Sequence, residues 1–428
     1  MRTLSLVALF PVVARADAPT IDAALARAYF AEARRLSDAD AGALWGRRLY
    51  GPMLFADART AAVVGNEPDA EGKLAPRDGL YAGTLADTVP IANTATAFGG
   101  KRWTMVMWPL PDAPYARGRL LAHELFHRIQ DDLGFPAASP ANAHLDGVDG
   151  RTWLLLEWRA LAEALIRAGA ERRRAVEDAL AFRAHRRALA GPAAADEERA
   201  LEINEGLAEY TGYRLCGLPA NVLPDRAAAR LEDPPAGGFS RNFAYRSGPA
   251  YGLLLDAVRP GWRARLTARS DLGALLAGAT GLRPDAGSAL DRAKRYDGER
   301  LIAAEKAAEE RRLARVAEHR RRFVDGPALR LPLTAAVSYS FDPNGIEAID
   351  SERSVYERLH VSDEWGVLDA TAGAMVARRD GRPIEATVAD PARSAGGAKG
   401  DGWTLRLGPG WSLAPGTRAG ELTVVKAR

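Results

Sequence analysis

The chain has 428 residues, 47% hydrophobic and 26% charged, the balance of an ordinary globular protein with room for a large core and a second domain. Net charge is only +3, and the arginines alternate with glutamates along helical stretches as solvated faces, so no nucleic-acid footprint is expected. The single cysteine, Cys216, excludes an internal disulfide framework and a cysteine-based zinc cluster, and reads as a buried, inert thiol.

The first residues read as a processing segment. Arg2 supplies a minimal positive region, Leu4 to Ala14 an apolar run, and Ala14-Arg15-Ala16 an A-x-A cleavage signature. A signal peptide over 1–16 is therefore expected, and with it a secreted or periplasmic protein. That run is too short to cross a bilayer and no later stretch is apolar enough, so no stable membrane insertion is expected.

Ile21 to Leu36 has helical periodicity, and a short second helix runs to Trp45. Residues 50–110 change to strand patterning and predict a small, mostly antiparallel sheet. Its strands are Met53 to Phe55, Ala61 to Val64, Leu80 to Leu85, Val89 to Ala97 and Arg102 to Trp108, with a polar loop from Gly65 to Asp78. Pro109 and Pro111 stop the last strand. Helices follow over 113–325, the first from about Ala113 to Leu133 with Gly134 as its C-cap.

That first helix carries His123-Glu124-Leu125-Phe126-His127. Four residues apart, His123 and His127 project from one face, one turn apart, and two neutral imidazoles can reach one zinc ion at about 2.0–2.1 Å. In the H-E-x-x-H pattern the glutamate, here Glu124, is the general base of a metalloprotease.

A Pro/Ala/Asn/Gly-rich loop spans 134–150. Helices follow at Arg151 to Ala168 and Glu171 to Leu189, then a third from about Asp196 to Leu215. The third contains Asn204-Glu205-Gly206-Leu207-Ala208-Glu209-Tyr210. With the His123 to His127 helix, this stretch resembles the gluzincin class of zinc metallopeptidases, in which a glutamate from a later helix completes H-E-x-x-H. The resemblance implies a zincin-like catalytic region holding Zn2+ on His123, His127 and Glu205, with Glu124 as general base and a polypeptide as substrate. A His2Glu site leaves the fourth position open, as catalytic zinc requires. Gly206 is expected to let the two helices approach closely.

The sequence departs from better-known members. Positions 128–204, 77 residues, separate His127 from Glu205, room for two whole helices. Gln130 and Leu133 stand where a metzincin continuation needs Gly and His, and the Gly-x-Met-Glu-Asn strand motif of the aminopeptidase branch is absent. The resemblance therefore names a class and no subfamily.

Glu198, Glu202, Glu205 and Glu209 recur at i, i+4, i+7 and i+11 and are expected to share one helix face. Glu209, one turn past Glu205, suits a carboxylate accepting a hydrogen bond from a metal-ligating histidine. Glu202 is either a further partner of that kind or solvated, and Glu198 is expected in solvent. Tyr245, in Phe243-Ala244-Tyr245-Arg246-Ser247-Gly248, matches the Tyr-x-x-Gly setting in which the aminopeptidase branch places its oxyanion-stabilising phenol. His144 is the second choice, then Tyr210, Tyr213 and Tyr251. His185 and His319 read as solvated. In this class the edge strand before the zinc helix pairs with an extended substrate, a role that falls on Arg102 to Trp108.

Leu290 to Phe323 predicts one long charged helix. From Ala328 onward the pattern is strand-like, with a hairpin at Ala374 to Arg379 and Ile384 to Val388, strands at Trp403 to Leu407 and Leu422 to Lys426, and a glycine-rich loop from Ser394 to Asp401. About seven short strands predict an all-β sandwich or barrel. The expected fold class is α+β, with a catalytic domain over 17–326 and a β-rich domain over 327–428. The expected activity is zinc-dependent peptide hydrolysis. The alternatives are a non-catalytic envelope scaffold that keeps the fold, and a zinc hydrolase of a non-peptide bond.

Overall fold

The computed structural model describes residues 21–86, 89–233, 235, 238–341 and 345–427; the expected signal segment lies outside them. The fold is α+β, with three mostly antiparallel sheets. Contacts divide the chain into two compact units at Ile302/Ala303, earlier than the 326/327 boundary read from the sequence. Among the described residues no helix is long and apolar enough to cross a membrane.

The first unit opens with α1 (Ala23–Asp40), capped by Asp22, whose carboxylate accepts from the Leu25 N–H at 2.8 Å. Phe30 of α1 stacks on Phe55 with ring centroids 4.2 Å apart, seating the helix on the sheet. That sheet comprises β1 (Met53–Ala56), β2 (Ala62–Gly65), β3 (Ala75–Arg77), β4 (Leu80–Thr84), β5 (Thr94–Phe98) and β6 (Lys101–Met107), in the order β3-β4-β2-β1-β6-β5. All pairings are antiparallel except β1 with β6. Short β3 lies inside the stretch read as a polar loop.

One expectation is corrected here. The strand before the proposed metal helix, β6, is not an edge: it lies between β1 and β5, and β5 is the free edge. The physical reason is visible in its burial. Trp103, Thr104, Met105 and Val106 are all fully buried, with Trp103 and Met105 in one apolar cluster and Val106 in the main core. A strand buried on both faces belongs inside a sheet.

α2 (Pro114–Ile129) starts with proline at its first position, where no N–H is needed, and ends through a 3-10 turn at Gly134, φ +78. α3 (Val148–Ile166) and α4 (Gly169–Ala190) follow as an apolar pair built on Leu154, Trp158, Leu161, Leu180 and Phe182. α5 (Ala194–Leu201) continues through a π-turn, Glu202–Gly206, into α6 (Leu207–Leu215). α6 packs directly on α2 because the contact is glycine-lined: a Cβ on Gly212 would lie 2.8 Å from the Arg119 carbonyl, and one on Gly118 2.8 Å from the Cys216 carbonyl. Cys216 itself is buried, as expected. α7 (Leu223–Glu232), α8 (Phe239–Asn242), α9 (Ala244–Val258), α10 (Leu272–Thr280) and α11 (Ala289–Ala293) complete the helical layer.

The long helix expected from Leu290 is interrupted at Asp297, φ +52, after which α12 (Gly298–His319) runs into a π-turn ending at Asp325. The second unit then forms β7 (Ala328–Pro332), β8 (Ser338–Phe341), β9 (Ile346–Ala348), β10 (Arg353–Tyr356), β11 (Leu359–Asp363), β12 (Gly366–Ala370), β13 (Ala374–Arg379) and β14 (Arg382–Ala389). After them come β15 (Ala392–Ser394), β16 (Gly397–Gly400), β17 (Trp403–Leu407), β18 (Trp411–Pro415) and β19 (Leu422–Lys426). One sheet has the order β18-β19-β7-β14-β13-β10-β9 and the other β15-β16-β17-β12-β11-β8. Neither closes, so the barrel alternative does not hold; Leu329 and Val388 of the first share a core with Leu368 and Leu405 of the second. The β13–β14 hairpin turns at Asp380-Gly381, both at positive φ (50° and 76°), the two-residue turn read from the sequence. The glycine-rich stretch from Ser394 is not a loop: it holds β16, which pairs with β15 on one side and β17 on the other.

Candidate metal centre

The π-turn decides which acids reach the histidines. In it the Leu207 N–H bonds the Glu202 carbonyl, five residues back, instead of four. The extra residue shifts the helical phase by about 100°, one residue's rotation in a 3.6-residue turn. The four glutamates expected on one face are thereby split. Glu205 and Glu209 turn toward α2, whereas Glu198 and Glu202 turn toward α4.

His123, His127 and Glu205 form a group able to hold a metal ion. The two Nε2 atoms are 3.1 Å apart, and Glu205 Oε2 is 3.4 Å from each. Four tetrahedral ligands at about 2.0–2.1 Å from an ion stand about 3.3–3.4 Å from one another, so the triangle has the dimensions of a zinc site.

The surroundings assign the tautomers. His123 Nδ1 is 2.8 Å from Glu209 Oε2, and a carboxylate only accepts, so Nδ1 carries the proton. His127 Nδ1 is 2.7 Å from Gln130 Oε1. The Gln130 amide is oriented by its nitrogen, which donates to the Pro136 carbonyl at 3.2 Å and to Asn204 Oδ1 at 2.9 Å; its oxygen must therefore accept from His127. Both Nε2 atoms thus present lone pairs to each other and to a carboxylate. A cation is what reconciles three converging lone pairs, and the donor set fits one.

Burial opposes charge on either imidazole and lowers His123 to about 4. At His127 burial is outweighed by Glu205, Glu124 and Gln130 together, which raise its proton affinity. Burial pulls Glu205 up, but hydrogen bonds with His123 and His127 hold it well below the usual carboxylate range.

Glu124 is 4% exposed, with Oε1 4.0 Å from His123 Nε2, and Oε2 has no hydrogen-bond partner among the described residues. Burial raises its pKa to about 8. Tyr245 lies flat on His123, ring centroids 5.6 Å apart, and its hydroxyl donates to Glu205 Oε2 at 2.7 Å. Burial, then Glu205, raise the phenol well above its ordinary value, so it stays a donor. Glycine brings it there: Gly248 on α9 faces Gly206 of the π-turn so closely that a Cβ on it would lie 2.3 Å from the Gly206 Cα. The partner of Gly206 is therefore α9 rather than α2.

The other candidates fall elsewhere. Glu202 touches neither histidine and is not solvated; it is fully buried and paired with Arg183. Glu198, expected in solvent, is fully buried and holds Arg186 through hydrogen bonds of 2.9 Å to Nε and Nη2. His144 bonds Glu198 at 3.0 Å, away from the triad. Tyr251 donates to Glu157 at 2.7 Å in the same buried network, and Tyr210 to Asp256 at 2.8 Å. His185 packs on Trp153 and His319 bonds Glu347 at 3.1 Å, so both are half-buried. Gln130, Asn204 and Arg119, which pairs with Glu209, escaped the sequence reading. The signals available for the first two were Gln130 three residues past His127 and Asn204 beside Glu205.

A cleft of about 270 Å³ reaches the triad, lined by Asn93, Thr94 and Ala95 at the β5 edge and by His127, Glu205 and Tyr245. Compared with protein-family models, curated proteins and solved structures, the chain matches none of them.

Proposed function

We propose that the protein is a zinc-dependent peptidase of the gluzincin type, hydrolysing peptide bonds outside the cytoplasm. One observation carries the reading: three lone-pair donors converge at 3.1–3.4 Å beside a buried carboxylate, Glu124, with an unpartnered oxygen. A structural site would have four protein ligands and no need of that base. The expected signal segment supports the location.

Zinc on His123, His127 and Glu205 would supply Lewis acidity, lowering the pKa of a water at the open position to about 7. The chain's own groups do the rest. Glu209 and Gln130 keep the protons on the Nδ1 atoms, so both Nε2 atoms remain ligands. Glu124 takes the proton from the attacking water and gives it to the leaving amine, through a buried Oε2 that has no other partner among the described residues. Tyr245, neutral and beside Glu205, donates to the oxyanion as the carbonyl is attacked. The β5 edge, paired with β6 alone among the described strands, offers its backbone to an extended polypeptide.

Metal analysis combined with peptide-library cleavage on the full chain tests this. The parent should bind one zinc and cleave; Glu124→Gln should keep zinc and lose cleavage; His123→Ala should lose both. Cleavage by Glu124→Gln at the parental rate would remove Glu124 from its role. Zinc without cleavage of any peptide would favour a non-catalytic scaffold, or a hydrolase of another bond if esters or amides were cut.

A further inference from the structure

A second cavity, of about 320 Å³, shares His123 and Tyr245 with the β5 cleft. Its wall takes one arginine from each of four helices: Arg119 of α2, Arg230 of α7, Arg241 of α8 and Arg246 of α9. The one acid in the wall, Glu209, is already engaged by His123 and Arg119.

Two of these cations lack a full counter-charge. Arg241 is exposed and pairs with no acid among the described residues. Arg246 is 3% exposed and lies over the Trp158 ring at 5.5 Å, yet among the described residues its Nε and Nη2 donate only to a neutral acceptor, the Asp233 carbonyl, at 3.1 and 2.9 Å. The Asp233 carboxylate is taken by Arg230 at 3.1 Å. Burial, then repulsion from Arg230, lower Arg246 to about 10. A buried guanidinium without a carboxylate is costly unless something else brings the charge.

We propose that this arginine cavity binds a carboxylate of the substrate, next to the bond that is cut. The inference rests on the peptidase reading and adds a substrate class: peptides whose chain-terminal carboxylate, or an Asp or Glu side chain, lies beside the scissile bond. Guanidinium forks match a carboxylate in geometry as well as charge. The shared His123 and Tyr245 make the cavity adjacent to the triad, so a group bound there neighbours the reacting carbonyl.

Binding separates this from turnover. Fluorescence anisotropy would follow one labelled peptide on the full-length Glu124→Gln protein in four forms. These are a free carboxyl terminus, its amide, and the amide with one internal Asp or the matching Asn. The free acid should bind at least about tenfold more tightly than the amide if the terminus is read; the Asp form should show that advantage over Asn if a side chain is read. The advantage should shrink with salt. It should largely vanish with Arg230→Gln and Arg241→Gln combined, two exposed positions, with the melting temperature of the variant measured beside the parent's to show that the fold is kept. Equal binding of charged and neutral forms, no binding of any form, or an undiminished advantage in the double variant would overturn the proposal. Parental cleavage without charge preference would remove the cavity assignment alone. Charge preference with no cleavage of any peptide by the parent would remove the peptidase reading and leave the cavity standing.

Discussion

The Tyr245 hydroxyl donates to Glu205 Oε2 at 2.7 Å, and that same oxygen faces both histidine Nε2 atoms at 3.4 Å. The phenol therefore touches the ligand set without being needed to complete it. Tyr245→Phe should keep stoichiometric zinc and lower kcat by about 10²–10³, the usual cost of removing one oxyanion donor, with a smaller change in KM. Zinc content and steady-state kinetics check this. Loss of zinc in the variant would mean that Tyr245 acts on the ligands.

Glu209 fixes the His123 tautomer from behind, Oε2 to Nδ1 at 2.8 Å, while its other oxygen holds Arg119. Glu209→Gln keeps the shape and removes the charge. Zinc affinity in a chelator competition should fall by about 10–100-fold with the fold intact.

The contact between Gly206 and Gly248 leaves no room for a methyl group; a Cβ on Gly248 meets three backbone atoms of Gly206 at 2.3–2.6 Å. Gly248→Ala must push α9 from the π-turn that carries Glu205. Stability should drop by about 1–3 kcal/mol in denaturant unfolding, and zinc affinity should fall with it, since α9 carries Tyr245 and braces Glu205.

Acid should weaken the buried network behind the site. Burial alone would raise Glu198, but Arg186, with help from His144 and Arg187, holds its carboxyl well below 4.5. The unfolded chain therefore binds the proton first as pH falls. The contribution of Glu198 to stability is complete above about pH 4.5 and is lost as pH drops through the depressed folded value. Unfolding midpoints of the parent should fall steeply in that range. Glu198→Gln should be destabilised at pH 7 and show a shallower acid limb.

Much of the scaffold was legible because it follows local rules. Pro114 and Gly134 bracket the helix of His123 and His127, Asp380-Gly381 makes its hairpin, and the four-residue spacing of the two histidines puts both imidazoles on one face. Less legible were features set by partners distant in sequence. Arg102 to Trp108 has the composition of any strand, and only the flanking β1 and β5 show that it is internal. Glu198 looks like a solvated acid, and Glu202 like a solvated acid or a partner of a ligating histidine, because their real partners, Arg186 and Arg183, lie on a different helix. The stretch from Ser394 to Asp401 is glycine-rich, and its strand β16 exists through pairing with β15 and β17.

The sequence by itself determined the chemistry available: two imidazoles one turn apart, a carboxylate between them, and an Asn-Glu-Gly helix 77 residues later. Those are matters of residue type and spacing. The Asn-Glu-Gly setting also pointed to Glu205; what only the tertiary structure decided is how the other three acids are disposed around it. Four glutamates share a face in an unbroken α-helix, and one π-turn rotates Glu205 and Glu209 toward α2 while leaving Glu198 and Glu202 to the arginines of α4. It also gathered four arginines from four helices around one cavity. A helix's phase and the convergence of separate helices depend on packing across the core, which no local spacing encodes.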